Sequence, residues 1–271
     1  MIVAYLGPAG TFSEEAARTA ADADLLPQPT IADAIDAVAA GTADRAIVPI
    51  ENSIEGSVAQ TLDTLADRPS VTISGELVLP VSHLLVAATN LAPGDIRRVI
   101  SHPQPLGQCA HWLREHLPGA ELVASPSTAD AIREVAAANG QPWAAIGTRR
   151  AAELYGGVVL REGIEDEAGN ATRFVWIAPD GTAVEDPAKT SLVFWGSGDD
   201  TPGWLVRCLS EFAFRGVNLT KIESRPMRGR LGHYRFYVDL ELGLDAAEAQ
   251  DALAALRAHC EDVRVLGSYP A

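Results

Sequence analysis

Short apolar runs and amphipathic segments alternate through the first 180 residues of the chain. Ile2–Leu6 and Arg45–Pro49 have the mostly apolar character of buried strands, and a segment with helical spacing follows each of them. Farther along, the pattern predicts two strands, Val71–Ser74 and Glu76–Leu85, before a new set of strands and helices. Strands that alternate with helices in this way predict an α/β fold with mostly parallel sheets.

The pattern changes after a polar linker at residues 181–188. Residues 189–271 predict a strand, a helix, two strands, a helix and a strand, which is the βαββαβ order of a ferredoxin-like module. A length of 271 residues also favours two domains. We therefore predict one domain over residues 1–180 and a second over 189–271. The second has no catalytic constellation, which favours a binding or regulatory role.

Three predicted helices of the first domain begin at a hydroxyl side chain. Thr11, Ser57 and Ser101 each precede a Glu or Gln by three residues, the spacing of a capping box. The free N–H groups of such helix starts attract anions, each by about 0.3–1 kcal/mol at exposed sites. Thr172 and Arg173 open a later strand, where a hydroxyl beside a guanidinium suits a carboxylate. Together they predict a cleft for an oxygen-rich anion. The alternative is an ordinary strand with Thr172 on one face and a solvated Arg173 on the other.

The charge of the chain limits its partners. The net charge is −15, and residues 1–188 hold 11 Lys and Arg against 25 Asp and Glu. An acidic surface argues against nucleic acid and anionic membranes as partners. Because the overall field repels an anionic substrate, its attraction must come from a few local groups.

Missing motifs exclude further classes of function. The six histidines lack metal-ligand spacing, no GxGxxG follows a strand, and no Ser-His-Asp set can be defended. We therefore expect no metal and no cofactor. The three cysteines are widely spaced, no basic leader is present, and no apolar run reaches about 18 residues. These features predict a cytoplasmic protein with no membrane partner.

Five segments resemble, in order, segments of prephenate dehydratases. Four lie in the first domain, and the fifth resembles the ACT domain of that family. They are residues 5–13 (YLGPAGTFS), 49–53 (PIENS), 101–105 (SHPQP), 170–174 (NATRF) and 216–226 (GVNLTKIESRP). One such segment is weak evidence, whereas five in sequence span almost the whole chain and are specific.

The resemblance implies a fold and an activity. The catalytic domain would have two subdomains like a type II periplasmic binding protein, with the site in the cleft between them. Subdomain one would take about residues 1–75 and 165–180, and subdomain two about 76–164. The enzyme would convert prephenate to phenylpyruvate with loss of water and carbon dioxide, in L-phenylalanine biosynthesis. The ACT domain would bind L-phenylalanine and form a homodimer, with a homotetramer as the expected assembly.

The resemblance also implies roles for particular residues. Thr172 would donate a proton or strong hydrogen bond to the leaving ring hydroxyl, and Arg173 would pair with a substrate carboxylate. The carboxylate that leaves as carbon dioxide must lose its solvation, so we expect neutral donors around that carboxylate. We expect Arg173 to pair with the other carboxylate, on the pyruvate side chain. The substrate-binding positions are Asn52, Ser101 and Gln108, with Thr11 and Ser53 as plausible neighbours.

Eight residues of the second domain match the family's effector-binding positions. They are Gly203, Leu205, Asn218, Leu219, Glu223, Ser224, Arg225 and Pro226. The family usually has a small residue after the first glycine, whereas Trp204 stands there in this chain. We expect its bulk either to narrow the effector pocket or to fill a subunit interface.

Two other functions remain open from the sequence. Arogenate dehydratase acts on a substrate that differs by one amino group, and a carboxylate such as Glu51 would favour that amine. A ligand-sensing protein would use the same two-lobed cleft without chemistry, although the attached regulatory module argues against a secreted binder.

Overall fold

The first sheet of the protein begins with residues 2–80. The computed structural model describes residues 1–138, 140–196, 200–227 and 229–270. The strands are β1 (Ile2–Leu6), β2 (Asp24–Gln28), β3 (Arg45–Asn52), β4 (Gly56–Ser57) and β5 (Val71–Pro80), with helices α1 (Phe12–Ala17), α2 (Ile31–Ala39) and α3 (Ala59–Asp67). β1 pairs in parallel with β2 and β3.

Local sequence explains some helix starts and not others. Thr11 caps α1 by accepting a hydrogen bond from the Glu14 N–H, as predicted. The capping role predicted for Ser57 is wrong, because Ser57 lies in β4 opposite Glu51 and α3 begins without a side-chain cap. A helix start is therefore not decided by its hydroxyl alone when the same residue can pair in a strand.

The second lobe contains residues 84–162. Its strands are β6 (Leu84–Ala87), β7 (Arg98–Ser101), β8 (Glu121–Ala124), β9 (Trp143–Gly147) and β10 (Val158–Glu162), and its helices are α4 (Pro103–Gln108), α5 (Ala110–His116), α6 (Thr128–Ala137) and α7 (Arg149–Tyr155). The strand order is β10-β6-β9-β7-β8. β7 is parallel to β8 and β9, while β6 is antiparallel to both of its neighbours.

The chain then returns to the first sheet as β11 (Ala171–Pro179). β11 lies between β3 and β5 and is antiparallel to both, giving the order β2-β1-β3-β11-β5. It must run backwards because it starts opposite Pro80, where β5 leaves the sheet. The prediction of mostly parallel sheets is therefore wrong, since each lobe has a mixed sheet.

The crossing between the lobes falls later than predicted. β5 is continuous from Val71 to Pro80, without the break expected at Gly75. Gly75 pairs with Trp176, whose side chain covers it, and this packing keeps the glycine inside a strand. The link between the lobes is thus the short segment 81–83, and not a strand that continues to Leu85.

Residues 189–269 form the third unit, in the βαββαβ order expected. Its elements are β12 (Lys189–Trp195), α8 (Trp204–Ala213), β13 (Leu219–Pro226), β14 (Tyr234–Leu240), α9 (Ala247–Arg257) and β15 (Asp262–Tyr269), and the antiparallel sheet has the order β13-β14-β12-β15. No helix in the described part of the chain is long and apolar enough to cross a membrane.

The third unit shares a hydrophobic core with the first lobe. Leu266 and Tyr269 of β15 belong to the same buried cluster as Ile73 of β5 and Val175 of β11. The approach is so close that a Cβ at Gly267 would lie 2.2 Å from the Ile73 carbonyl oxygen. One face of the first sheet is therefore covered by α2, α3 and the third unit, while α1 packs on the other face.

Candidate active site

A cleft of about 760 Å³ lies between the two lobes. Its walls are the loops after β1 and β3 and the start of β11 on one side, with α4 and the start of α6 on the other. Loops at the carboxyl ends of strands are where α/β sheets bind ligands. The polar side chains of most interest here are Thr11, Asn52, His83, Gln108, Asn170 and Thr172.

The cleft is lined by neutral polar groups. Within the described residues, its lining includes no lysine and no arginine, and Asp130 is its one carboxylate. The same part of the chain holds no group of three or more His, Cys, Asp or Glu residues that could bind a metal. A doubly negative ligand would therefore be held by hydroxyl, amide and backbone N–H donors.

Arg173 does not line the cleft, so its expected pairing with a substrate carboxylate is wrong. Successive residues of a strand point to opposite faces, and β11 directs Thr172 to the cleft and Arg173 to the third unit. The guanidinium pairs with Asp239 at 2.8 Å and with Glu51 and Glu76 at 3.1 Å each. Burial would lower the pKa of Arg173, but Asp239 and the neighbouring acidic groups raise it overall.

A β-bulge brings Asn52 to the same face as Thr172. Asn52 pairs with Thr172 and Glu51 with Arg173, but the register shifts at the next position, so that Ile50 has no partner on β11. Without the extra residue, Asn52 would face the third unit. Bulges of this kind re-aim side chains next to active sites.

Asn52 holds the Thr172 hydroxyl. The Asn52 Nδ2 group donates to Thr172 Oγ1 at 3.0 Å and to Asn170 Oδ1 at 2.8 Å. The Asn52 Oδ1 atom accepts from the backbone N–H groups of Ile54 and Glu55, both at 3.1 Å. Because a backbone N–H can only donate, the orientation of the Asn52 amide is fixed.

Further amide groups extend this set of contacts. Asn170 Nδ2 donates to Gln108 Oε1 at 3.2 Å, which connects β11 to α4 of the other lobe. The hydroxyl of Ser53 accepts from the Ala171 N–H at 2.9 Å, but Ser53 is not among the residues that line the cleft. Ser53 therefore anchors the start of β11, whereas Gln108 lines the cleft, and its contact with substrate stays a prediction.

His83 is a lining residue that sequence reasoning missed. It lies in the link between the lobes and is 2% exposed, and its Nε2 atom is 2.9 Å from Gln108 Oε1. Burial lowers the pKa of His83, and the opposing effects of Gln108 and Glu165 do not cancel this. No spacing in the sequence marks it, because its partner is 25 residues away on another element.

Two predicted substrate-binding hydroxyls are already engaged. Thr11 lines the cleft, but its hydroxyl donates to the backbone carbonyls of Leu6 and Pro8. Ser101 is fully buried, donates to the Ile146 carbonyl at 2.7 Å and does not line the cleft. It also does not cap α4, whose N-cap is His102, because Ser101 is the last residue of β7. The prediction for Ser101 is therefore wrong in both respects.

A second cavity, of about 270 Å³, lies in the third unit. Of the eight predicted effector residues, Gly203 and Leu205 line it, together with Trp204 and Tyr234. The others are placed outside this cavity. Asn218 donates to Glu241, while Leu219, Ser224 and Pro226 lie along β13.

Glu223 and Arg225 contact the first lobe. Arg225 makes two hydrogen bonds to Asp63 of α3, at 2.7 and 2.9 Å, and Glu223 accepts one from Ser57 at 3.3 Å. The Asp63 carboxylate raises the pKa of Arg225. Alternate residues of β13 therefore hold the third unit against the first.

Trp204 fills the core of its own unit. It is 4% exposed, its indole N–H donates to the His259 carbonyl at 2.7 Å, and its ring packs against Phe194 and Phe236. A Cβ at Gly196 would lie 2.5 Å from the indole, so the small residue there makes room for it. Its bulk is thus accommodated inside the unit, although it also forms part of the second cavity.

Known proteins resemble this chain over its whole length. A family model described as prephenate dehydratase matches residues 3–182. A prephenate dehydratase of Mycolicibacterium gilvum is 43% identical, and the match covers 99% of this chain and 90% of the relative's length. The chloroplastic arogenate dehydratase 5 of Arabidopsis thaliana is 41% identical, and the match covers 99% of this chain and 67% of that relative's length.

Solved structures are similar as well. A prephenate dehydratase of Arthrobacter aurescens in complex with L-Phe has a TM-score of 0.91 at 38% identity, covering 100% of this chain and 90% of that one. A structure described as a novel type of quorum quenching acylase has a TM-score of 0.88 at 31% identity. The match covers 100% of this chain and 98% of that one.

Proposed function

The chain belongs to the prephenate dehydratase family, and on that premise we propose that its cleft converts prephenate to phenylpyruvate with loss of water and carbon dioxide. Two relatives of this name, from Mycolicibacterium gilvum and Mycolicibacterium vanbaalenii, are 43% and 40% identical over 99% of the chain. The cleft offers neutral donors for a small dianion, which fits a substrate with two carboxylates and one hydroxyl.

Thr172 is the group we propose to assist departure of the ring hydroxyl. One contact supports this role most directly. Thr172 Oγ1 accepts from Asn52, and the described residues provide no acceptor for its own proton. The O–H bond is therefore available to a ligand in the cleft, and the bond from Asn52 stabilises the negative charge that develops as the proton is shared. A threonine hydroxyl is a weak acid, but restoring aromaticity drives the departure.

The neutral lining suits the loss of carbon dioxide. A cation beside the departing carboxylate would stabilise the ground state more than the transition state, in which that charge is being lost. With Arg173 on the other face of β11, we propose that hydroxyl, amide and backbone N–H donors hold both carboxylates. The N-terminus of α6, capped by Ser127, is one such set of donors.

Arogenate is the second candidate substrate. The relative from Arabidopsis has that name, and Asp130 places a carboxylate in the lining where an amino group would be favoured. Glu51, suggested by the sequence for this task, pairs instead with Arg173 and Lys221 behind the sheet.

A direct assay separates these functions. Purified protein is mixed with prephenate and the absorbance of phenylpyruvate in alkali is followed, and a parallel sample with arogenate is tested for phenylalanine. We expect turnover of prephenate. Preferential turnover of arogenate would favour the second candidate, and binding of both without turnover would support a ligand-sensing protein.

We propose that residues 189–271 are an ACT regulatory domain that binds L-phenylalanine. The βαββαβ order, the cavity beside Gly203 and Leu205, and the relative solved with L-Phe support this assignment. Large apolar side chains of the same unit, Val206, Phe214 and Ile222, are at least half exposed, which suits a homodimer through this domain. The homotetramer and the cytoplasmic location stay predictions.

L-Phenylalanine tests the regulatory assignment. We expect it to change either the rate of prephenate turnover or the sedimentation of the protein, because a ligand that favours one assembly or conformation shifts the population toward it. If neither quantity changes at saturating L-phenylalanine, the ACT assignment fails while the catalytic one is unaffected.

A further inference from the structure

Three amide side chains connect the Thr172 hydroxyl to a buried histidine through one series of hydrogen bonds. Asn52 donates to Thr172, Asn170 accepts from Asn52 and donates to Gln108, and Gln108 Oε1 also faces His83 Nε2. The distances are between 2.8 and 3.2 Å throughout. The series therefore runs from the cleft to the link between the two lobes.

The donor and acceptor in each hydrogen bond of the series follow from the orientation of the Asn52 amide. The Asn52 oxygen is fixed by two backbone N–H groups, so its nitrogen must face Asn170. Asn170 then presents its oxygen to Asn52 and its nitrogen to Gln108. The Gln108 oxygen accepts from the Asn170 nitrogen, and the Gln108 nitrogen donates to the Glu55 carboxylate at 3.3 Å.

The last member of the series is the imidazole of His83. Because Gln108 Oε1 can only accept, the His83 Nε2 atom must carry a hydrogen. In the neutral ring, Nδ1 is then an unprotonated acceptor, and it is buried without a hydrogen-bond partner among the described residues. An unpaired buried nitrogen is costly, so its presence calls for an explanation.

We propose that His83 and Asn170 are positioning residues for the dehydration: the Nε2–H tautomer of His83 holds the Gln108 oxygen toward Asn170, and Asn170 in turn keeps its oxygen on Asn52 Nδ2, so that Asn52 donates to Thr172 and the Thr172 proton is directed at the substrate. This inference rests on the function proposed above. In this tautomer the buried Nδ1 carries an unpaired lone pair, whereas the opposite tautomer would place an N–H donor there without a partner among the described residues.

The opposite tautomer would disturb the whole series. With hydrogen on Nδ1, the lone pair of Nε2 would face the Gln108 oxygen, and Gln108 would have to rotate its amide. Its nitrogen would then oppose the Asn170 nitrogen, and Asn170 would turn its own nitrogen toward Asn52. The orientation of His83 is restrained by Phe12, whose ring meets it edge-on, and by Glu165, which accepts from the His83 backbone N–H.

The tautomer can be observed directly. In the full-length, ¹⁵N-labelled protein, a two-dimensional ¹⁵N–¹H spectrum of the imidazole, recorded where the ring is neutral, distinguishes the two forms. We expect the Nε2–H tautomer for His83. The Nδ1–H tautomer would overturn the inference, and this result does not depend on whether prephenate is turned over.

A variant tests whether the series is coupled. In Asn170→Asp, both oxygens accept, so Gln108 must turn its nitrogen toward residue 170 and His83. Glu55 is exposed and can move away. We expect the His83 ring to change to the Nδ1–H form. Ser53→Ala removes a hydroxyl that contacts Asn170 at 3.4 Å but is not a member of the series, so this matched control should leave the tautomer unchanged. An unchanged tautomer in Asn170→Asp would refute the coupling.

Kinetics test the consequence for the reaction. We expect His83→Met to lower kcat about 10-fold with a smaller change in KM, because the hydroxyl is misdirected while the binding groups remain. His83→Gln should recover part of the loss, since its amide can donate to Gln108. His111→Met, at a side chain that is 73% exposed, is the control and should match the wild type.

Two outcomes would contradict the kinetic prediction. One is a His83→Met variant with wild-type kcat, and the other is a His83→Gln variant as slow as His83→Met. If His83→Met does not fold, the tautomers of the wild type and of Asn170→Asp still decide the question. If the wild type turns over neither prephenate nor arogenate, the proposed function fails independently of the tautomer result.

Discussion

The two faces of the β3–β11 pair differ sharply in their chemistry. The cleft face presents Thr172 and Asn52, which are neutral and joined to other amides. The face toward the third unit presents Arg173 and Glu51, which belong to a cluster of charges with Asp239. Neighbouring residues thus differ in chemistry: uncharged donors face the cleft, and ion pairs face the third unit.

Three members of the charge cluster are largely buried. The exposed fractions of the Arg173, Glu76 and Asp239 side chains are 12%, 10% and 6%. Buried charges are tolerated only when their partners are complete, so removing one partner is costly even if the complete set adds little. The comparison teaches that the residue after the threonine proposed to be catalytic can stabilise the structure from the opposite face of the strand.

The largest effect is expected from breaking the charged face. In Arg173→Met, Asp239 and Glu76 lose a buried partner, so we expect the free energy of unfolding to fall by about 3–5 kcal/mol, measured by urea unfolding. The folded enzyme should keep most of its kcat. Arg149→Met, which removes an ion pair whose side chains are 52% and 60% exposed, is the control and should leave the free energy of unfolding nearly unchanged.

A stable Arg173→Met variant with a collapsed kcat would reverse this assignment. It would mean that the guanidinium acts in catalysis after all, and that the separation of charge from chemistry on the two faces is not real.

The next effect concerns the cleft face. In Asn52→Asp, the side chain can still accept from the Ile54 and Glu55 N–H groups, but it can no longer donate to Thr172. The Thr172 hydroxyl would then donate to the introduced carboxylate instead of the substrate. We expect kcat to fall by about 100-fold, measured with prephenate at saturation, with the fold retained. A fall of less than about 3-fold would show that the direction of this bond is unimportant.

The smallest effect is a pH dependence of stability. Burial lowers the pKa of His83 below its ordinary 6.5, so the unfolded chain takes up a proton first as the pH falls. The contribution of neutral His83 to the free energy of unfolding is therefore present above about pH 6.5 and is lost as the pH falls below that value. Compared with His83→Met, the wild type should lose more of its free energy of unfolding below about pH 6.5, measured by urea unfolding at several pH values. Parallel curves for the two proteins would contradict the burial of a neutral ring.

Much of the architecture follows from local patterns in the sequence. The alternation of strands and helices gives the two lobes, and the change of pattern after residue 188 gives the third unit. Thr172 and Asn52 could be selected because the resemblance covers their motifs. These features depend on residues close together in the chain, which is why sequence reasoning reaches them.

The errors all arise from contacts between distant residues. The side of β11 on which Arg173 lies depends on the strand register, and the position of Asn52 depends on a bulge at Ile50. Gly75 was expected to end a strand, but Trp176 covers it from a neighbouring strand. Ser101 has the spacing of a capping residue, yet the fold places it inside a sheet. None of these arrangements leaves a periodic signal.

One measurement tests the central claim most directly: the kcat of Thr172→Val with prephenate, beside that of Thr172→Ser. Valine keeps the shape and removes the hydroxyl, so we predict a fall in kcat of about 10²–10³-fold with little change in KM, and much smaller losses for serine. A Thr172→Val enzyme that turns over prephenate near the wild-type rate would contradict the account, because no proton would then need to come from this face of β11.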